Sequence, residues 1–119
     1  MYYFVAQRFL RNNSLTFLIP GGWRLYMASN VNDISITYEE EGREIVKEID
    51  KKILSQGAWA TIIFQYQQWE RAKENYGPDR YTIRRYRKRN GEYMQQSKFN
   101  ISSKEQANKI IEALQGWIT

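Results

Sequence analysis

Apolar residues recur every three or four positions near the C-terminal end of the sequence. They are Ala107, Ile110, Ile111, Leu114, Trp117 and Ile118. This spacing is typical of a helix that buries one stripe of side chains. Just before it, Ser102-Ser103-Lys104-Glu105 has the Ser-x-x-Glu spacing of a capping box, in which two side chains satisfy backbone N–H groups at a helix start. The pattern therefore predicts a helix over about 103–117.

A β-hairpin is predicted upstream, around Asn90-Gly91. This dipeptide favours a two-residue hairpin turn, and it separates two strand-like runs at 81–89 and 92–99. Residues 59–69 alternate in the manner of a further strand. Its two faces would carry Ala60, Ile62, Phe64 and Tyr66 on one side, and Trp59, Thr61, Ile63, Gln65, Gln67 and Trp69 on the other. The first face suits a hydrophobic core, whereas the second is only partly apolar.

Residues 43–55 fit two structures. Their apolar residues are Ile45, Val46, Ile49, Ile53 and Leu54. With Glu48 and Lys52 four positions apart and Gly57 just beyond, these residues fit a short amphipathic helix. In a strand, the three isoleucines would share one face with Lys47 and Lys51 between them. Periodicity favours the helix.

Four further β-rich stretches lie near the N-terminus, at 2–10, 15–19, 23–28 and 34–38, with a turn signal at Pro20-Gly21-Gly22. No linker or low-complexity tract divides the sequence, so we predict one domain over 1–119. The predicted fold class is α+β: an antiparallel β-sheet of four or more strands with a C-terminal amphipathic helix on one face.

The composition excludes several kinds of catalytic and metal-binding site. The 119 residues include no Cys and no His, so a disulfide framework, a thiolate nucleophile, a histidine base and the common zinc sites are excluded. We therefore predict a protein that is not an enzyme and needs no metal or cofactor. No apolar run approaches eighteen residues and the first residues do not look like a leader. These features predict a soluble intracellular protein, cytoplasmic, nucleoid-associated or active in a phage-infected host.

The net charge of +5 is concentrated in one segment. Residues 70–98 hold nine basic and four acidic residues, which accounts for the whole excess. From position 80 to 98, Glu92 is the one acidic residue among seven basic ones. The basic residues are Arg80, Arg84, Arg85, Arg87, Lys88, Arg89 and Lys98. Such a density of cations is expected on a surface that meets a polyanion.

Aromatic residues lie between these cations, a combination that suits single-stranded nucleic acid. Tyr81, Tyr86 and Tyr93 fall within the predicted hairpin, and Tyr66 and Trp69 on the strand before it. Stacking of a base on an aromatic ring is worth roughly 1–3 kcal/mol and tolerates any sequence. With about six phosphates neutralised, the salt slope would be about −4, so fourfold more salt would weaken binding a few hundredfold. The other interpretations are a basic edge strand that only resists aggregation, and tyrosines that pack in the core.

Two stretches of the sequence also carry a resemblance to a known family. Tyr81-Thr82-Ile83-Arg84-Arg85-Tyr86-Arg87 is similar to a family strand in which an Ile-Arg pair precedes aromatic residues, and Lys98-Phe99-Asn100-Ile101-Ser102 to a Lys-Gly-Ile-Ser/Thr-Leu segment before a helix. The chain thus resembles the single-stranded-DNA-binding superfamily of transcriptional positive cofactor four, its small bacterial relatives and the plant Whirly proteins.

This resemblance implies four antiparallel strands and a helix, with dimerisation or tandem repetition forming a DNA-binding sheet. Arg84 and Lys98 match family cations that contact DNA. Arg87 falls where some members have Trp, and Tyr66 or Trp69 lies near the family's aromatic contact.

The resemblance covers about 43–117 if residues 43–55 form the first strand. The sequence departs from the family pattern at Phe99, which replaces Gly, and in a long loop between Trp69 and Arg80. Residues 1–42 have no counterpart in the short members. They would be either a β-rich elaboration or a degenerate first half of a Whirly-like double unit.

We therefore expect a sequence-tolerant single-stranded DNA-binding protein that acts in transcription, replication or recombination. The expected contacts are Tyr66, Trp69, Arg84, Tyr86, Arg87, Lys88, Arg89 and Lys98. The expected partners are single-stranded nucleic acid, DNA rather than RNA, and a second copy of the chain in a homodimer or higher homo-oligomer, with no membrane. The alternatives are an RNA-binding module of the same architecture and a protein-interaction subunit with an acidic partner.

Overall fold

A computed structural model describes residues 15–19 and 23–119. Its strands are β1 (Leu15–Ile19), β2 (Trp23–Met27), β3 (Tyr38–Glu40), β4 (Arg43–Ser55), β5 (Trp59–Glu70), β6 (Asn75–Tyr76), β7 (Arg80–Arg89) and β8 (Glu92–Ile101). A 3-10 turn spans Val31–Asp33, and the helix α1 spans Lys104–Ile118. The strand predicted at 2–10 lies outside the described residues, whereas those at 15–19 and 23–28 are confirmed as β1 and β2.

One antiparallel sheet dominates the structure, with strand order β3-β4-β5-β7-β8, and β6 pairs with the end of β5. Strands β1 and β2 form a separate two-stranded sheet. An antiparallel sheet followed by a C-terminal helix is an α+β arrangement, so the prediction is confirmed at this level.

The hairpin of β7 and β8 forms as predicted. Arg89 pairs with Glu92 across the turn, and Asn90 and Gly91 have φ values of 52° and 81°. Positive φ at both central residues defines the type I′ turn, whose twist matches that of the strands it joins. The turn therefore sets which residues of β7 and β8 lie opposite one another.

The helix favoured for 43–55 is wrong, because these residues form β4. The register with β5 skips Ile49 and Leu54, a bulge at each position. A bulge adds one residue and reverses the alternation of the side chains beyond it. Val46 and Ile53 are seven positions apart, yet the bulge at Ile49 brings them to the same side of the sheet, where both pack against the core. Two bulges in a strand thus imitate the spacing of a helix.

We call the two sides of the main sheet the covered face and the open face. The covered face carries the side chains of Ala60, Ile62, Phe64, Tyr66, Thr82 and Tyr86, all of them buried. This confirms the core face predicted for 59–69. The open face carries the residues that alternate with these along β5 and β7, beginning with Trp59.

Residues 28–37 lie over the covered face and complete the core. Ala28, Val31, Ile34 and Ile36 are buried in one cluster with the sheet residues. The strand predicted at 34–38 is wrong for 34–37, since the observed strand β3 covers only Tyr38–Glu40.

Residues 32–36 form hydrogen bonds with side chains of β4 instead of backbone hydrogen bonds with a neighbouring strand. The Glu48 carboxylate accepts hydrogen bonds from Ser35 Oγ (2.8 Å) and the Ile36 N–H (3.3 Å). Lys51 Nζ donates to the carbonyl oxygens of Asn32 and Ile34. Burial lowers the pKa of Lys51, and the nearby carboxylates of Glu48 and Asp33 oppose that shift. Alternating apolar residues are therefore buried here without strand pairing.

Helix α1 begins one residue later than the predicted capping box requires. Ser103 is the N-cap, and its Oγ accepts from the Gln106 N–H at 3.0 Å. The Gln106 side chain accepts in turn from the Ser102 N–H at 2.7 Å. Gln106 therefore does what was expected of Glu105, since a glutamine serves equally well at this position.

The helix is not packed on the sheet as predicted. None of its residues is buried, and its apolar stripe is exposed at Ile111, Leu114, Trp117 and Ile118. Trp117 is 81% exposed. Among the described residues, no helix has the length and apolar character needed to cross a membrane.

Candidate nucleic-acid interface

Strand alternation divides the expected contact residues between the two faces. Arg84 pairs with Ile62 on the neighbouring strand and Arg85 with Thr61. Directly opposed residues share a face, so alternate residues of β7 lie on opposite sides. Arg84, Tyr86 and Lys88 are on the covered face, and Arg85, Arg87 and Arg89 on the open face. Residues adjacent in sequence therefore cannot form one contact surface.

Two of the expected stacking residues belong to the core. Tyr66 is 7% exposed and Tyr86 is 6% exposed, and both pack in the cluster beneath residues 28–37. Burial raises the pKa of the Tyr86 phenol. A base cannot stack on either ring in this fold, so neither belongs to the candidate interface.

Arg84 and Lys98, the two cations that the resemblance singles out, lie directly opposite one another on β7 and β8. Both are on the covered face, Lys98 on the edge strand β8 and Arg84 on β7 beside it. Arg84 donates from Nη1 to Gln95 Oε1 at 3.1 Å. Partial burial lowers the pKa of Lys98, and the Arg84 charge lowers it further. These two cations are therefore neighbours, but they point away from Arg87.

The strongest combination of an exposed ring and cations is on the open face. Trp59, at the start of β5, is 38% exposed. The guanidinium carbons of Arg85 and Arg87 lie 4.3 and 5.3 Å from the centre of the Trp59 ring. These distances are those of cation–π interactions. We call Trp59, Arg85 and Arg87 the open-face cluster.

The pairing of β5 with β7 produces this cluster. Trp59 pairs with Arg87, and Arg85 lies two residues further along on the same side. Within the described part of the chain, neither guanidinium has a carboxylate within 4.0 Å. The positive charge of both arginines is therefore available to an anion outside the chain.

Exposed apolar side chains extend the open face across β8. Met94 pairs with Arg87, and Phe99 pairs with Ile83. Both are exposed. Arg89 is also exposed and lies at the turn, where it pairs with Glu92. On the other face, Lys88 Nζ lies 5.3 Å from the ring centre of Tyr93.

Trp69 belongs to a second group at the far end of β5. Its ring has the Arg43 guanidinium carbon 3.9 Å from its centre, and it meets the Tyr76 ring edge-on with the ring centres 5.2 Å apart. At a rise of about 3.3 Å per residue, Trp69 is roughly 33 Å from Trp59 along the strand. Trp69 is therefore not part of the open-face cluster.

An acidic residue also separates the two groups. Asp79 accepts hydrogen bonds from the side-chain amides of Gln65 (2.8 Å) and Gln67 (2.9 Å), which lie between the two tryptophans on β5. Its carboxylate repels a phosphate chain that would run along β5 from Trp59 to Trp69.

Trp59 and Arg85 are absent from the expected contacts. The signals that identify them are in the sequence: the alternation of 59–69 places Trp59 opposite the core face, and the Asn90-Gly91 turn gives Arg85 and Arg87 the same side. The missing information was that β5 pairs with β7, since only this pairing brings the tryptophan to the arginines.

The cluster can stack a planar base and neutralise phosphates. The described residues contain no group of three or more Asp or Glu side chains placed to hold a metal ion. Comparison of the chain with family models, with curated proteins and with solved structures finds no match in any of the three.

Proposed function

We propose that this chain is a non-enzymatic protein that binds single-stranded nucleic acid on the open face. The observation that carries the proposal is the exposed Trp59 ring with two guanidinium groups beside it and no carboxylate of the described chain within 4.0 Å of either. Rings for bases and cations for phosphates are what single-strand binding requires. Because every base has a π face, binding is tolerant of sequence.

The energies allow a base to replace the arginines over the ring. The two cation–π contacts are worth about 0.5–1 kcal/mol each, or about 1–2 kcal/mol together, which the roughly 1–3 kcal/mol of a stacked base can offset. A base on Trp59 therefore displaces Arg85 and Arg87 toward the phosphates on either side of it. The guanidinium groups then form charge-assisted hydrogen bonds with those phosphates.

The resemblance supports DNA as the preferred strand and a role in transcription, replication or recombination. β4, β5, β7, β8 and α1 occur in the order that it implies, four strands followed by a helix. A ring and two guanidinium groups do not distinguish the two sugars, so the preference for DNA rests on the resemblance.

Binding is tested by fluorescence anisotropy of a labelled oligothymidylate at low salt. The variant Arg85→Gln/Arg87→Gln removes both cations of the open-face cluster. The control Arg71→Gln/Lys73→Gln removes the same charge from exposed positions in the turn after β5. We expect at least a tenfold loss of affinity in the first variant and less than a twofold loss in the control. Equal losses would show attraction by net charge alone and would refute the site.

Competition between matched DNA and RNA oligomers tests the sugar preference. DNA should displace the labelled strand at a lower concentration than RNA does. If the wild-type chain binds neither oligomer at low salt, nucleic-acid binding is refuted. The alternative is then that the basic surface binds an acidic protein partner.

We also propose that the apolar stripe of α1 joins two copies of the chain. Three charged residues, Glu105, Lys109 and Glu112, lie on the opposite side of the helix from Ile111 and Leu114 at 100° per residue. The fourth charged residue, Lys104, lies on the side of Ile111 but at the first residue of α1, seven positions away. Two stripes can therefore meet through Leu114, Trp117 and Ile118 without burying charge. The helix also has no net charge, with two lysines and two glutamates, so two copies do not repel one another. Exposed apolar patches of this kind mark interaction sites.

Static light scattering with and without oligonucleotide tests this assembly. The wild-type chain should have at least twice the mass of one copy, and Leu114→Lys should have the mass of one copy. Leu114 is exposed, so the substitution leaves the fold intact. A single-copy mass for the wild type at micromolar concentration would refute the assembly without affecting the binding site.

A further inference from the structure

Phe99 presents a second exposed aromatic ring on the open face, and we propose that it stacks a second base of the same strand. The proposal rests on the proposed function and extends it, because two rings in fixed positions determine how many nucleotides the interface needs. Phe99 is 49% exposed.

The strand register places Phe99 on the same side as Trp59. Phe99 pairs with Ile83 across β7 and β8, and Ile83 pairs with Ile63 of β5. Ile63 alternates with the buried Ile62 and therefore lies on the open face with Trp59. Both isoleucines are partly buried, so they form an apolar floor beside the Phe99 ring.

The large apolar side chains in the middle of β8 point to the open face, the opposite of what is expected for a strand with one buried face. Between its buried ends, Tyr93 and Ile101, the open face carries Met94, Ser97 and Phe99, two of them large and apolar. The covered face carries polar side chains at the same level: Gln95, Lys98 and Asn100. A strand of this kind ordinarily turns its apolar residues inward. The Phe99 ring therefore does not pack in the hydrophobic core, although the other face of β8 points toward it.

Phe99 is also held in position. Its backbone is paired with Ile83 of β7, within an unbroken run of pairs from Ser97 to Ile101. Stacking on a preorganised ring loses less entropy than stacking on a mobile one.

The two rings are separated by more than neighbouring bases are. Trp59 and Phe99 lie two strands apart and four residues along, which corresponds to about 16 Å between Cα atoms at strand spacings of about 4.8 Å and rises of about 3.3 Å. Arg85 lies between them, paired with Thr61 on one side and Ser97 on the other. Since stacked bases of one strand are about 3.4 Å apart, the two rings take bases at most about five positions apart. Arg85 then faces the phosphates between these bases.

The test measures the affinity of oligothymidylates of two, four, six and eight nucleotides for the wild type, Phe99→Leu and Phe99→Trp. Phe99→Leu keeps an apolar side chain and removes the ring, whereas Phe99→Trp keeps a ring. The control is Leu54→Ala, at an exposed apolar position in a bulge of β4. Thermal melts verify that each variant is folded.

We expect Phe99→Leu to bind the eight-nucleotide strand between about fivefold and about 150-fold more weakly, the range that corresponds to the stacking of one base. The dinucleotide, which cannot reach both rings, should lose less than twofold. Phe99→Trp and Leu54→Ala should bind the longer strand within about threefold of the wild type.

Two outcomes would overturn the proposal while leaving the proposed function intact. One is an unchanged affinity in Phe99→Leu when Trp59→Leu weakens binding. The other is an equal loss in Phe99→Leu and Phe99→Trp, which would mean that side-chain shape rather than the ring matters. If the wild type binds no oligonucleotide at any length, the proposed function itself fails.

Discussion

The guanidinium carbon of Arg85 lies 4.3 Å from the centre of the Trp59 ring, although the two residues belong to different strands. The contact exists because β5 and β7 are neighbours in the sheet and Arg85 and Trp59 share its open face. Arg84, next in sequence to Arg85, pairs with the buried Ile62 on the other face. A single position along a strand thus decides whether an arginine faces the indole or the core.

Loss of the Trp59 ring should weaken single-strand binding by about 1–3 kcal/mol, the value of one stacked base. Trp59→Leu removes the ring and Trp59→Phe retains one. Anisotropy titrations with an oligothymidylate should therefore place Trp59→Phe between the wild type and Trp59→Leu. If Trp59→Leu binds as tightly as the wild type while Arg85→Gln/Arg87→Gln does not, phosphate contacts alone carry the affinity.

The salt dependence should be weaker than the sequence alone suggests. Three of the cations in the hairpin lie on the open face: Arg85, Arg87 and Arg89. At about −0.7 per neutralised phosphate, three cations give a slope of about −2, so fourfold more salt weakens binding about twentyfold. A log–log plot of affinity against salt concentration measures the slope. A value near −4 would require further cations, either Lys52, which pairs with Ile63 on the open face, or cations of the covered face.

Replacement of Tyr86 should leave binding unchanged and alter stability at high pH. Burial raises the pKa of this phenol above its ordinary 10.0, so above pH 10 the unfolded chain loses a proton that the folded protein retains. Stability therefore falls as pH rises through this range. Tyr86→Phe has no such proton, so the wild type should lose roughly 1 kcal/mol relative to the variant between pH 9 and pH 11.

Urea unfolding at the two pH values provides the measurement for Tyr86. A constant difference between the wild type and Tyr86→Phe would contradict a phenol that stays protonated in the core. The matched variant Tyr86→Ala leaves a cavity and should cost about 3–5 kcal/mol at pH 9.

Two glycine substitutions should have opposite effects on stability. Gly91 has a φ of 81° in the hairpin turn, so Gly91→Ala should destabilise the protein by about 1–2 kcal/mol. Gly116 lies in α1, where an added methyl group meets nothing within 4 Å. Gly116→Ala should therefore stabilise the protein by up to about 1 kcal/mol. The free energy of unfolding in urea measures both, and a loss at Gly116 would show that the helix packs against something.

The residues of the hairpin, β5 and α1 determined their own secondary structure. Asn90-Gly91 accepts the positive φ values that a type I′ turn needs. The alternation of 59–69 and the spacing of apolar residues in 107–118 each match the geometry of one element, so they specify it locally. The net positive charge of 80–98 likewise follows from the residue types alone.

Tertiary structure decided what these local patterns could not. Residues 43–55 form a strand because β5 offers backbone partners along their length, and the bulges at Ile49 and Leu54 hide the alternation that would have predicted it. Tyr66 and Tyr86 became core residues, whereas Trp59 remained exposed, because residues 28–37 cover only one face. A sequence sets which side chains alternate, but which face is covered depends on contacts between segments distant in the chain.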